Sequence, residues 1–591
     1  MSGSVPSAAL EGLLYLLLAF GPFAFGCVEP WARATLEAAC FLLAFGVFLR
    51  GRAAASPAGT FLWTLPAAFA ALALLQAANA PLPDGPRPAW PFSVSPAETE
   101  DAARLWAAYA CLAWSVPRVL IDHDAARRFA RVFLGLGVAV AALGFAQAWT
   151  SVDRIYWTRP TAKGVAPFGP YYNMDHAAGF LLLSLGFGSG LFASRFSEWN
   201  EGRPTREWGR AQAAMAALLA LVFAALTACR SQAAMLALAL GALFVVFLAA
   251  GFHERRRRLL QAGGALAAAA AVVALVFRVA TAGEAAGAVV EKAVRSRLAI
   301  YADAWRWWLD APWTGTGLGT FDFLYPAYQD SSLRAAVSHA HSDWIETALG
   351  AGLPGLLLAA AAALLPAAAG ARSWWSGRSR EMRGLLGGAL AAGAFAAAHS
   401  LFEFNFQIPG NAVAMVAVAG FLASSASWRD KRVERPFPDR PDALGVSLAG
   451  VALVVGVAWA AAPAVARARL APQAAPAARA AGASRALALD EDPRHWYALG
   501  AASHDLAMSS PEPDPALLRF AASAAVTAAD ARPYDSAPLY LAGVALWRLQ
   551  RPQDAADFFA ASRAVGFAPY RPPRGARAAA RRAAPSAGVK P

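Results

Sequence analysis

Apolar stretches of about 20 residues, the length a helix needs to cross roughly 30 Å of hydrocarbon, recur from residue 8 to about 465. About thirteen can be marked, at 8–28, 32–49, 59–79, 102–120, 129–149, 174–194, 211–229, 232–252, 262–280, 345–370, 384–401, 410–427 and 443–466. This pattern predicts an all-α polytopic membrane protein over 1–466, with 281–344 as its longest connection. The first stretch has no basic leader and no clear small-residue cleavage site, so it is expected to remain as the first helix.

Composition agrees: 58% hydrophobic and 15% charged residues in 591 exclude an ordinary soluble multidomain chain. The net charge of +13 first suggests nucleic acid, but Lys and Arg fall in alternate loops rather than on one soluble face. One set of loops holds Arg50 and Arg52, Arg118 to Arg131, Arg195 to Arg210, Arg255 to Arg258, Arg372 to Arg383, and Arg429 to Arg440. Basic residues accumulate on the cytoplasmic side. The amino terminus is therefore expected inside, and the 281–344 connection and everything after about 467 outside. Cys27, Cys40, Cys111 and Cys229 lie in or beside apolar stretches with no CxxC spacing, which points to neither a disulfide framework nor a zinc site.

Five polar clusters map to the outer face. They are FGPYYNMDHAAG (168–179), CRSQ (229–232), SRLAIYADAW (296–305), SHAHSD (338–343) and HSLFEFNFQIPGN (399–411). Ionisable groups at membrane depth are costly, so several converging at one depth point to a site. Arg230 and Arg297 suit a diphosphate, because guanidinium forks hold phosphate oxygens bidentately and stay charged; snorkelling to lipid headgroups is the alternative for each. His341 can accept a proton from a hydroxyl at neutral pH, with Asp343 and Glu346 close enough in sequence to orient it. His339 and His341 would also share one side of an extended segment, as a metal half-site needs, but no further ligand has suitable spacing.

Asn173, Asp175 and His176, after Tyr172, open the sixth stretch, where Asn or Asp can cap a helix. Glu403, Asn405 and Gln407 alternate with Phe402, Phe404 and Phe406, which predicts an extended segment with polar and aromatic faces. GTGLGT (315–320) lacks the Lys of a phosphate loop and reads as a flexible turn.

Together these residues resemble the O-antigen ligase and polymerase superfamily of bacterial membrane glycosyltransferases over roughly 160–425, through GPYYNMDHAAGFL, CRSQAAMLALA, SRLAIYADAWRWWLDAPWTGTGLGTFDFLYPAY, AHSDWIETALGAGLPGLLL and AHSLFEFNFQIPGNA. The resemblance implies a GT-C-like inner-membrane enzyme. Its donor would be an undecaprenyl-diphosphate-linked oligosaccharide, transferred with inversion to an acceptor hydroxyl on glycan, lipid A core or protein, without a nucleotide sugar, metal or other cofactor. By motif, Arg230 and Arg297 match diphosphate-binding arginines and His341 the essential histidine. Tyr172, Asn173, His176, His339, Asp343, Glu403, Asn405 and Gln407 are expected to bind substrate. The usual HN[DE] reads His341, Ser342, Asp343 here, and the common NxNH reads Asn173, Met174, Asp175, His176.

Residues 467–570 resemble tetratricopeptide helix pairs, small residues with Pro-punctuated, aromatic-led helices, and would lie in the periplasm. The basic tail 571–591 reads as disordered. Such a region could hold a growing glycan, a chain-length regulator or an export protein. O-antigen ligation, polymerisation of O-antigen or exopolysaccharide, and protein glycosylation all fit this reading. A flippase would instead distribute charge through the depth of the bilayer, and a membrane-anchored scaffold would not need Arg230, Arg297 and His341 on one face.

Overall fold

The computed structural model describes residues 6–51, 57–79, 90–150, 154–161, 167–199, 206–250, 284–329, 337–377, 379–428, 443–468, 475–487, 492–509, 512–531 and 536–564. The expected stretch 262–280, the loop arginines 255–258, every basic residue of 429–440 and the tail 571–591 lie outside the described residues.

The described residues are helical almost throughout, apart from a two-stranded ribbon of Arg154–Ile155 and Arg159–Pro160. The helices are α1 Ser7–Phe23, α2 Pro30–Arg50, α3 Pro57–Phe61, α4 Thr64–Ala77, α5 Pro96–Val119, α6 His123–Thr150, α7 Met174–Trp199, α8 Arg206–Ala228, α9 Gln232–Ala250 and α10 Glu284–Asp310. They continue as α11 Phe321–Leu324, α12 Asp343–Ser376, α13 Arg380–His399, α14 Pro409–Ser424 and α15 Ala443–Ala468. Five more follow, α16 Pro476–Leu487, α17 Pro493–Ala507, α18 Pro515–Ala531, α19 Ser536–Arg548 and α20 Pro552–Ala564, each packed on the next. Among the described residues, eight helices are long and apolar enough to cross a membrane, including α2, α6, α12 and the 23-residue segment Leu444–Ala466 of α15. This is an all-α polytopic membrane protein, and every expected stretch within the described residues is helical.

Local chemistry sets the helix ends. Asn173 accepts from the Asp175 amide at 2.9 Å to cap α7, Ser342 caps α12 and Ser379 caps α13. Inside the bundle, small residues let backbones meet: a Cβ on Gly186 would lie 2.7 Å from the Ala392 amide, and one on Gly190 2.8 Å from the Gly384 carbonyl. This contact locks α7 along α13. Phe129, Phe133, Phe187 and Phe421 fill the centre with stacked and edge-on rings.

Two expectations are corrected here. GTGLGT is a pinned turn rather than a flexible one, because α12 breaks at Gly352 (φ 65°, ψ −167°) and the turn supplies the missing partners. The Leu349 carbonyl accepts from Thr316 and the Gly350 carbonyl from Gly317, each at 3.0 Å, while the Leu353 amide donates to Pro312 at 2.8 Å. Pro354 has no amide to offer Gly350, and the Leu353–Leu349 bond that the break removes is replaced on both sides by this turn. Gln76, fully buried, donates to the Gly350 carbonyl at 2.8 Å and accepts from Leu318 at 3.1 Å, tying α4 to both.

FEFNFQIP is not extended either: turns follow His399, and Asn405–Gln407 form a 3-10 helix. The strand-like alternation loses because Asn405 must turn inward to hold His399 and Asn411.

Candidate functional site

The ends of α7, α12, α13 and α14 that carry the polar clusters meet α10 and the α8–α9 turn at one place. Glu403 lies at its centre, fully buried in the loop between α13 and α14. One carboxylate oxygen pairs with the Arg297 guanidinium of α10, and the other lies 3.3 Å from His341 Nδ1. His341 and Arg297 are each about a third to a quarter exposed, 33% and 26%, so both reach solvent while their shared carboxylate does not. Burial alone would raise the Glu403 pKa, but the His341 hydrogen bond and the Arg297 charge hold it below the usual carboxylate value.

The backbone of His341 is held as firmly. It is left-handed, φ 50°, and its carbonyl accepts from the Tyr301 hydroxyl of α10 at 2.9 Å. The next residues extend and enter α12, where the Asp343 amide donates to the Ser400 carbonyl at 3.0 Å.

Asp343 therefore does not orient His341, contrary to expectation. Its carboxylate accepts from Ser400 Oγ at 2.7 Å and the Phe406 amide at 3.0 Å, fixing the α13–α14 loop. Glu346 is likewise engaged, with His339 Nδ1 at 3.0 Å and the Ala340 amide at 3.1 Å. Burial lowers the His339 pKa, yet the Glu346 charge and hydrogen bond outweigh it and hold the ring above its ordinary value.

The two histidines do not form a metal half-site, because the left-handed turn at 341 breaks the extended geometry. They flank Phe404 instead: His339 stacks on its face (ring centroids 4.2 Å apart) and His341 meets its edge (5.1 Å). His176 touches the same ring edge-on at 4.8 Å. Among the described residues no His, Cys, Asp and Glu cluster is arranged to hold a metal.

Behind these groups runs a buried amide network. His399 Nδ1 and Asn405 Nδ2 are 2.7 Å apart, Asn411 donates to Asn405 at 2.6 Å and to the His176 carbonyl at 2.8 Å, and the Tyr171 hydroxyl donates to Asn411 at 2.6 Å. Asn405, His176 and Asp343 thus support the site from inside the protein. Asp175 shares a hydrogen bond with Ser231 and lies within the fields of Glu403, Arg297 and His341. Ser231 caps α9, and the exposed Arg230 beside it has left-handed backbone (φ 52°), so the α8–α9 turn borders the same site.

Tyr172 turns away. Its hydroxyl donates to Glu29 at 2.9 Å, its ring stacks on Phe25 at 5.7 Å, and Arg159 lies over both rings while pairing with Glu29 at 2.7 Å. Gln407 makes its backbone bond to Phe404 at 3.1 Å and, among the described residues, no side-chain bond. The sequence pattern does not mark Tyr301 as a site residue, and for Phe404 it offers only an acid set in an aromatic run, FEFNF.

No curated protein matches this chain. Residues 215–360, which hold Arg230, Arg297 and His341, match the model of the family described as O-Antigen ligase. A lipid-linked glycan donor, a glycan acceptor and a glycosyltransferase-like activity are what that family implies. Over those residues this multi-pass membrane protein is similar to the O-antigen ligase/polymerase superfamily.

Proposed function

We propose that this protein transfers an oligosaccharide from undecaprenyl diphosphate to an acceptor hydroxyl at the outer face of the bacterial inner membrane. The observation that carries the reading is the His341–Glu403–Arg297 group, with a solvent-reaching imidazole and a solvent-reaching guanidinium joined through one buried carboxylate. Ionised Glu403 accepts from Nδ1 of His341 and so leaves Nε2 facing outward as the acceptor for a proton. The acceptor hydroxyl loses that proton to Nε2 as its oxygen attacks the anomeric carbon. The bond from that carbon to the diphosphate breaks, and the electron pair leaves on a phosphate oxygen beside Arg297 and Arg230. One displacement inverts the anomeric centre. The two guanidinium groups hold the diphosphate and stabilise its developing charge without a metal. The acceptor is a further glycan unit or lipid A core, and the C-terminal helices serve the growing polymer.

The test is deletion of the gene followed by complementation with His341→Ala, Arg297→Ala or Arg230→Ala at matched protein level. Each is expected to lower transfer about a hundredfold or more, the scale of a lost general base or oxyanion donor. Normal surface glycan with all three variants would overturn the reading. A missing ladder of long chains marks a polymerase, and unattached full-length chains mark a ligase.

A further inference from the structure

At the other end of the bundle a shallow, open groove of about 500 Å³ lies between α7, α9, α12 and α13. The 20 residues of α13 run from His399 at the candidate site to Arg380 at the groove, about 30 Å of helix and so one hydrocarbon thickness. The groove therefore lies at the opposite membrane face. Its walls are apolar or small, with Val245, Gly388 and Ala391 among them, and charge enters only at the mouth, from Arg380 and Arg383 beside Trp374. The acid nearest in sequence, Glu381, is held bidentately by Arg127 at 2.6 and 2.9 Å, which offsets its repulsion of an anion. Both mouth arginines are exposed.

A groove of this size suits a small ligand. An apolar trough ending in two guanidinium groups at interfacial depth selects a ligand with an anionic head and an apolar chain. We infer that this groove binds one anionic phospholipid of the cytoplasmic leaflet, phosphate on Arg380 and Arg383 and an acyl chain past Gly387 and Ala391 of α13. It would seal α7 and α13 at the end remote from the chemistry, independently of the proposed transfer.

The glycines supply a sharp test. Gly384, Gly388 and Gly190 meet backbone within 2.5–2.9 Å of an added Cβ, but one on Gly387 meets only Trp374 Nε1, at 3.7 Å. Gly387→Leu therefore fills the groove without forcing the helices apart.

Thermal melting of the purified full-length protein in detergent, titrated with phosphatidylglycerol, phosphatidylcholine or inorganic phosphate, reads the site. Phosphatidylglycerol alone is expected to raise the melting temperature. Arg380→Gln with Arg383→Gln should weaken its binding roughly thirtyfold, as two arginines at an anionic headgroup predict. Gly387→Leu should abolish the response while melting normally without lipid, and it decides the matter if the double variant fails to fold. Equal stabilisation by phosphatidylcholine, a full response from Gly387→Leu, or the same shift with inorganic phosphate alone would each overturn the proposal.

Discussion

The ionic partners of the site make its stability depend on pH in two opposed ways. His339 is held above its ordinary value of 6.5 by Glu346, so its contribution is complete below pH 6.5 and is lost as pH climbs through the raised value. Glu403 is held below 4.5, so its contribution is present above pH 4.5 and is lost as pH falls through the lowered value. Melting curves in detergent from acid to alkaline buffer should therefore peak between those limits. His339→Gln should flatten the alkaline limb and spare the acid one; an unchanged alkaline limb would mean that the His339–Glu346 pair is not its cause. At this scale the sequence exposes the cations and His341, because such groups are rare beside apolar stretches. It does not expose the Glu403 pairing, because 62 residues separate that acid from His341 and the turns after His399 bring it back.

Among elements, the decisive one is the break in α12. Its GAGLPG stretch reads in sequence as the descent into the bilayer within one continuous span, 345–370, and the break at Gly352 shows only in the structure. What could not be read is that the distant GTGLGT turn answers the freed carbonyls, since that depends on tertiary placement. Gly352 sits where only glycine is comfortable, and an added Cβ would lie 2.5 Å from the Trp313 carbonyl. Gly352→Ala is expected to destabilise by about 1–3 kcal/mol from backbone strain alone. Gly12→Ala, where nothing lies within 4 Å, is the matched control and should be neutral or slightly stabilising. Equal melting temperatures for the two variants would show that the α12 break relaxes freely. The apolar helices themselves were legible because their lengths match the hydrocarbon; their partners were not, because glycine contacts such as Gly190 with Gly384 leave no periodic mark.

For the whole molecule, everything turns on which side of the membrane faces which compartment. The distribution of loop arginines predicts that the candidate site faces outward, and Arg372, near the end of α12, lies 20 residues along that helix from the break at Gly352, where Trp313 packs. Both are exposed, whereas Cys27, Cys40 and Cys229 are buried and Cys111 is half-buried, so introduced thiols stand out against the background. Trp313→Cys should label with a membrane-impermeant maleimide in intact spheroplasts, and Arg372→Cys only after permeabilisation. That result has a chemical consequence. The outer face has no supply of nucleotide sugar, so an enzyme working there needs a donor that arrives with its own leaving group, and a glycan on a lipid diphosphate is such a donor. The reverse labelling would put His341, Glu403 and Arg297 in the cytoplasm and would remove the reason for reading Arg230 and Arg297 as a clamp for a lipid-borne diphosphate.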